Sequence, residues 1–111
     1  MNFKLVDLHN HLNDLKELES TSYYEFLKVP SMSIGLYKLG KGETDKQQPH
    51  TEDEIYIVIE GKSSFQNGDI LSDVSKGDII FVEAYKEHKF FDITEDLTTL
   101  VVFSPAEHSN K

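Results

Sequence analysis

The sequence has 111 residues, 20 acidic and 11 basic, for a formal net charge of −9, and it has no cysteine and no tryptophan. One domain is expected for this length, and the lack of cysteine excludes disulfides, cysteine-ligated zinc and a cysteine nucleophile. The negative charge disfavours nucleic acid as a partner, and the absence of a signal peptide or membrane-length apolar segment leads us to expect a cytoplasmic protein with no membrane contact.

The predicted elements are one helical turn and then strands. Asp14 stands three residues before Glu17 in the spacing of a capping box, with Leu15 and Leu18 beside them, so a short N-terminal helical turn is predicted. Farther along, runs rich in β-branched and aromatic residues, separated by glycine, proline and asparagine, predict strands. The eight predicted strands cover residues 23–29, 32–39, 54–60, 62–66, 69–74, 78–82, 89–93 and 97–103.

Short, closely spaced strands favour an antiparallel sandwich or a closed barrel. Asn67-Gly68 predicts a hairpin, and the polar residues 105–111 predict a frayed tail. Strands 54–60 and 78–82 are apolar on both faces, so a second sheet or a partner subunit must cover them. A jelly roll, or a dimer of jelly rolls, meets this requirement.

Side chains suited to metal binding or catalysis are most concentrated between Gly42 and Gly61. If the segment were extended, side chains of even number from Gln48 to Glu54 would share one face, which places His50 near Glu54. A second histidine, His88, precedes another predicted strand. Two imidazoles and one carboxylate form the ligand set of many open metal sites, and the amide oxygen of Gln48 could supply a neutral fourth ligand.

Spacing alone leaves other interpretations open. His50 follows Pro49 and also fits a solvated loop residue. Residues 52–54 also fit an exposed acidic patch, and His88, next to Lys89, also fits a surface histidine.

Residues 42–61 and 77–93 together resemble the two motifs of the cupin superfamily. The first motif would be Gly42, Gln48-Pro49-His50, Glu54 and Gly61, and the second would be Gly77, Glu83, Tyr85 and His88, with Glu83 and Tyr85 in place of the usual proline and glycine. The resemblance implies an all-β fold: a small cupin jelly-roll β-barrel, or double-stranded β-helix. With the short N-terminal helical turn, residues 1–111 would form a single cupin domain.

The resemblance also implies a metal site. His50, Glu54 and His88 fall on family ligand positions, whereas Gln48 stands where the family usually has its first histidine. An amide oxygen is a weaker ligand than an imidazole. Tyr85 must adopt a backbone conformation that glycine reaches more easily. The expected cofactor is one divalent transition-metal ion: iron, manganese, nickel, cobalt or zinc.

The cupin fold hosts many reactions, so the resemblance leaves the function open. One hypothesis is a dioxygenase-like enzyme; the other is a non-catalytic module that binds a small ligand or senses metal. Three retained ligand positions disfavour a metal-free remnant. All 11 basic residues are lysines, and without the planar fork of arginine we expect a small neutral or weakly acidic ligand rather than a phosphate. Tyr56, Phe81 and Phe90 are predicted to wall the substrate pocket.

A homodimer is predicted as well. Ile55, Ile57 and Ile59 form an apolar face opposite the side chains of Tyr56 and Val58, and such a face needs cover. Cupins are often dimers, so the resemblance points to the same assembly.

Overall fold

The computed structural model describes residues 1–19 and 22–109. In this part of the chain there are one helix and six strands, in the order α1 (Leu5–Glu19), β1 (Tyr23–Val29), β2 (Met32–Leu39), β3 (Asp53–Asn67), β4 (Ile70–Ser75), β5 (Ile79–Val82) and β6 (His88–Ser104). In the described part of the chain, no helix is both long and apolar enough to cross a bilayer.

The strands form one antiparallel sheet in the order β1-β2-β6-β3-β4, and β5 also pairs with β3. The long strands β3 and β6 pair from Asp53 opposite Ser104 to Asn67 opposite His88. Their register shifts between Val58 and Ser64, and such irregularities bend a sheet. The curved sheet encloses an apolar interior, which confirms the jelly-roll β-barrel of double-stranded β-helix type.

Several predicted strands are joined in the structure. Predicted strands 54–60 and 62–66 are the two halves of β3, which continues through Gly61 at a φ of 99°. A Cβ at Gly61 would collide with the carbonyl oxygen of Asp96, so glycine permits the two long strands to approach here. The predicted hairpin at Asn67-Gly68 is confirmed, because β3 and β4 remain paired up to Asn67 and Ile70.

The N-terminal helix is longer than the predicted turn. It spans 15 residues, and Asp14 and Glu17 lie inside it rather than at its start. Leu8 and Leu12, one turn apart, are buried against Leu36 of β2 on the outer face of the sheet. This packing stabilises the earlier helical turns, which the capping signal alone did not predict.

The barrel interior is filled by inward-facing side chains of the strands. In β3, for example, Tyr56 and Val58 are 0% and 1% exposed. The buried interior cluster consists of Leu39, Tyr56, Val58, Phe65, Val74, Val82, Phe90, Ile93, Leu97, Val101 and Phe103. The polar side chains of His50, Glu54 and His88 lie beside this cluster.

Candidate metal centre

Three polar side chains meet inside the barrel. His50 lies in the irregular segment before β3, Glu54 is the second residue of β3, and His88 is the first residue of β6. Because side chains alternate along a strand, Glu54 points inward with Tyr56 while Ile55 points outward. The curvature of β3 and β6 then brings the three side chains together.

The distances within this group are short. Oε1 of Glu54 is 3.0 Å from Nε2 of His88 and 3.4 Å from Nδ1 of His50. One potential ligand atom from each of the three residues lies within 4.8 Å of the others. The side chains of Glu54 and His88 are each 1% exposed, and that of His50 is 15% exposed. Two histidines and one carboxylate in this arrangement could hold a transition-metal ion.

The polar atoms of the group fit a bound cation. Nδ1 of His50, both carboxylate oxygens of Glu54 and Nε2 of His88 are buried and form no aligned hydrogen bond with any described residue. Buried polar atoms are rarely left unpaired. The other ring nitrogen of His88, Nδ1, donates to the carbonyl of Lys86 at 2.9 Å, which leaves the Nε2 lone pair directed at Glu54.

Electrostatics in the metal-free site favour protons on the histidines. Burial lowers the pKa of His50, but the carboxylates of Glu107 and Glu54 outweigh it and raise that pKa to about 9. Burial likewise opposes the charged form of His88, yet Glu54 and the Lys86 carbonyl raise its pKa. Burial raises the pKa of Glu54, and the two imidazoles more than reverse this, so it stays ionised. A metal ion must therefore displace protons.

Glu107 also reaches this site, and the sequence did not point to it. Its Oε2 lies 3.2 Å from Nε2 of His50, and its side chain is 12% exposed. Its backbone N–H donates to Oγ of Ser33 at 2.9 Å, and the next backbone N–H, of His108, donates to Oε1 of Glu52 at 2.9 Å. These bonds hold the segment after β6 against the barrel.

The prediction of a frayed tail was therefore wrong for residues 105–109. Ala106 is 1% exposed, because this segment packs on the barrel after β6 ends. The interpretation of residues 52–54 as an exposed patch also fails for Glu52 and Glu54, which are each 2% exposed. Asp53, between them, is exposed as expected for the opposite face of β3.

A buried carboxylate, Asp45, organises the irregular segment that carries His50. It is 7% exposed and accepts hydrogen bonds from the Tyr37 hydroxyl at 2.7 Å and the Phe90 N–H at 2.9 Å. It also accepts from the backbone and side-chain N–H groups of Gln47. The side-chain amide oxygen of Gln47, Oε1, in turn accepts from the Tyr56 hydroxyl at 2.8 Å. The segment is thus tied to β2, β3 and β6.

The loop before His88 is tied to the same segment. Tyr85 has a φ of 67°, so it does adopt the left-handed conformation expected at this position. Its backbone N–H donates to the carbonyl of His50 at 2.6 Å. This bond connects the loops of the two histidines.

A small cavity adjoins His50. Its volume is about 150 Å³. The described side chains that line it include no lysine. They are Tyr23, Tyr37, Gln47, His50, Val101, Phe103 and Glu107.

Gln48 is placed differently from the other predicted ligands. It is exposed and borders a more open cavity of about 250 Å³ with Pro49 and His88. Gln48 and His50 both precede β3, which begins at Asp53, so strand alternation places neither of them, and only His50 lies beside Glu54. Gln48 as a fourth ligand stays a prediction.

The predicted pocket walls separate into two groups. Tyr56 and Phe90 are 0% and 1% exposed, and the Tyr56 ring centroid is 6.0 Å from that of His88. Their contact with a substrate stays a prediction. Phe81 is 55% exposed, on the opposite face of β5 from the buried Val82, so placing it in the pocket was wrong. The apolar run of β5 hid which side chains face inward.

Known proteins resemble this chain in sequence. A family model described as the Cupin domain matches residues 35–103. An uncharacterized protein of Streptomyces coelicolor is 45% identical over 86 residues, which are 78% of this chain and 82% of that protein. The resemblance seen in the two motifs thus extends over most of the chain.

Solved structures resemble it in fold. KdgF from Halomonas sp. has a TM-score of 0.70 at 18% identity, with 80% of this chain and 82% of that chain covered. A cupin 2 conserved barrel domain protein from Rhodopseudomonas palustris has a TM-score of 0.68 at 19% identity, with 77% of this chain covered. This chain spans 61% of the Rhodopseudomonas protein's length. At such identities the likeness establishes the fold alone.

Proposed function

This chain belongs to the cupin family, and we propose that it is a metal-dependent, dioxygenase-like enzyme acting on a small neutral or weakly acidic organic molecule. The observation that carries the proposal is the group of His50, Glu54 and His88, whose potential ligand atoms face one another without an aligned hydrogen bond, next to a cavity that His50 lines. Two histidines and one carboxylate with open positions are typical of mononuclear oxygenase sites.

The three residues would hold one divalent ion of iron, manganese, nickel, cobalt or zinc. Glu54 would be its single anionic ligand, so the centre would keep a net positive charge. Such an ion supplies Lewis acidity and, for iron or manganese, redox chemistry. Gln48 is proposed as a neutral fourth ligand, which requires its exposed side chain to turn inward.

The cavity supports a small and uncharged or weakly acidic substrate. Burial, reinforced by nearby carboxylates, raises the pKa of Tyr23 and of Tyr37 far above the ordinary value, so both rings stay neutral. Glu107 contributes negative charge, and no lysine is among the described residues that line the cavity. A phosphate or sulfonate would meet repulsion there, whereas a phenol or enol could lose its proton at the ion.

Purified protein is expected to bind about one divalent ion per chain, because the donor set is sufficient for one centre. Elemental analysis gives the stoichiometry. Unfolding in the presence of Fe²⁺, Mn²⁺, Co²⁺, Ni²⁺ or Zn²⁺ gives the stabilisation, about 2.7 kcal/mol when free ion is at a hundred times Kd. Protein without metal, and without stabilisation by any of the five ions, would contradict the proposal.

Turnover is tested on the metal-loaded protein. Oxygen consumption is followed with a panel of small catechols, phenols and enols, and binding is followed by calorimetry with pairs such as a sugar and its phosphate. Oxygen uptake that depends on both metal and substrate supports the enzyme. Binding of a panel compound without any uptake instead indicates a non-catalytic binding module, and tighter binding of phosphorylated ligands would overturn the assigned ligand class.

We also propose a homodimer formed through the outer face of the sheet. The register aligns one apolar residue from each of four strands, namely Ile34, Val102, Ile55 and Phe81. Phe81 is 55% and Ile55 38% exposed, and Ile79 next to them is 71% exposed. Helix α1 covers only the neighbouring part of this face, at Leu36 and Leu100. Contiguous exposed apolar surface of this kind is typical of interfaces.

The substitution Phe81→Glu is expected to convert a dimer into a monomer, because it would bury an unpaired charge in each half of the interface. Light scattering coupled to size-exclusion chromatography measures the mass. Ile70→Glu is the matched control, since Ile70 is 68% exposed but lies on β4, which contributes no residue to the aligned row. A monomeric wild type at working concentration would refute the dimer.

A further inference from the structure

His50 lies between two carboxylates that contact different atoms of its ring. Its Nδ1 is 3.4 Å from Oε1 of Glu54, and its Nε2 is 3.2 Å from Oε2 of Glu107. A neutral imidazole carries one proton, so only one ring nitrogen has a lone pair for a metal ion. The carboxylate that accepts the proton decides which nitrogen that is.

His88 obtains its orientation from the backbone, because its Nδ1 donates to the Lys86 carbonyl and leaves Nε2 toward Glu54. In His50, the ring nitrogen that does not face Glu54 is Nε2, and its neighbour is the side-chain carboxylate of Glu107. The two histidines thus present opposite ring nitrogens to Glu54, each with a distinct acceptor behind it.

Glu107 is held in place independently of its own carboxylate. Its backbone N–H is bonded to Ser33, which is fully buried, and the following backbone N–H is bonded to Glu52. Ala106, before it, is 1% exposed. Because these anchors survive a change of the Glu107 side chain, the side chain can be tested without removing the segment.

We infer that Glu107 is a positioning residue for the metal centre: its carboxylate accepts the Nε2–H of His50 and thereby directs the Nδ1 lone pair toward Glu54 and the ion. The inference rests on the proposed metal site and assigns Glu107 a role outside the ligand set. Histidine ligands commonly depend on such an acceptor, and its removal typically costs 10- to 100-fold in metal affinity.

The test compares metal affinity in three variants, with Zn²⁺ as the probe and a competing chelator in the calorimeter. At a pH above about 9, where the metal-free His50 ring is neutral in the wild type, Glu107→Ala is expected to weaken binding about 10- to 100-fold. Glu107→Gln keeps an oxygen acceptor and is expected to recover most of that loss. His108→Ala is the control, since His108 Nε2 lies 3.7 Å from the same carboxylate but on an exposed side chain. It should bind within about twofold of wild type because this contact is solvent-exposed.

Nitrogen chemical shifts of the His50 ring give a readout that a merely structural role would not move. In the zinc-loaded wild type, Nδ1 is expected to be the coordinated nitrogen and Nε2 the protonated one. Coordination through Nε2, or equal zinc affinity of Glu107→Ala and wild type, would overturn the inference while leaving the metal site intact.

Failure of the proposed function has a different signature, namely a wild type that binds no metal. The same shifts then test Glu107 in the metal-free protein at a pH where the His50 ring is neutral. A proton on Nε2 that moves to Nδ1 in part of the Glu107→Ala molecules supports the positioning contact. An unchanged proton distribution rejects it.

Discussion

His88→Ala is expected to abolish metal binding, with affinity reduced more than about a hundredfold, or about 3 kcal/mol. His88 contributes one of two imidazoles, its side chain is 1% exposed, and its Nδ1 is already fixed by the Lys86 carbonyl. Water in the space left by the imidazole would be a weaker ligand than the imidazole itself. The two remaining donors hold transition-metal ions poorly. Calorimetric titration with Ni²⁺ and Zn²⁺ measures the loss.

Two comparisons make this result specific. His11→Ala removes an imidazole that packs on Tyr24, outside the metal group, and should leave affinity unchanged. Gln48→Ala should cause a smaller loss than His88→Ala, because an amide oxygen is a weak neutral donor, and Gln48→His should tighten binding. Equal losses for Gln48→Ala and His88→Ala would show that Gln48 is a primary ligand.

His88→Ala also leaves the buried Glu54 carboxylate with one imidazole fewer, which destabilises the metal-free protein. Glu54→Gln separates folding from binding. It removes the only anionic ligand and the buried charge together, so affinity should fall strongly while the thermal midpoint of the metal-free protein changes less than in His88→Ala. Retained affinity in Glu54→Gln would count against the proposed centre.

The grouping of His50, Glu54 and His88 was expected from the resemblance to the two cupin motifs, because spacing alone left a solvated alternative open for each residue. His50 and Glu54 are four residues apart, and Glu54 shares the inward face of β3 with Tyr56, as alternation requires. His88 begins β6 after a loop in which Tyr85 takes the left-handed conformation expected at the position of the usual glycine. Each of these signals spans a short stretch of chain.

Features that depend on distant contacts were not predictable. Glu107 lies in a polar segment with no periodicity, and its place beside His50 depends on Ser33, more than seventy positions earlier in the chain. Asp45 looked like one acidic residue among many, yet it joins Tyr37 to the segment before β3. No local pattern encodes such pairings, because bonds such as Glu107 to Ser33 and Phe90 to Asp45 join residues far apart in the chain.

The limits of the strands and of the helix also separate features that local sequence predicts from features that depend on distant contacts. The hairpin at Asn67-Gly68, which joins β3 to β4, follows from turn chemistry. Gly61 suggested a break between strands, but β3 is paired with β6 on both sides of it, at Glu60 and at Lys62. The helix extends back to Leu5 because Leu8 and Leu12 find an apolar surface on the sheet, a tertiary effect that overrides the capping signal.

Metal affinity is expected to rise steeply with pH between pH 6 and about 9. In the metal-free site the carboxylates of Glu107 and Glu54, working against burial, raise the pKa of His50 to about 9, and Glu54 raises that of His88. At pH 7 a metal ion must displace protons from these imidazoles, so each proton released changes the affinity about tenfold per pH unit. Chelator competition across this range, corrected for the chelator's own protonation, measures the slope.

The stability of the metal-free protein should change in the opposite direction. The pKa of His50 is higher in the folded state than its ordinary value of 6.5, so its contribution to folding is complete below pH 6.5 and is lost as pH rises through about 9. The thermal midpoint of metal-free protein should therefore fall over the interval in which metal affinity rises. Calorimetry at pH 7 in buffers of different ionisation enthalpy should detect between about one and two protons released per ion bound. An affinity independent of pH between 6 and 8, with no proton release, would show that the ion does not bind these histidines.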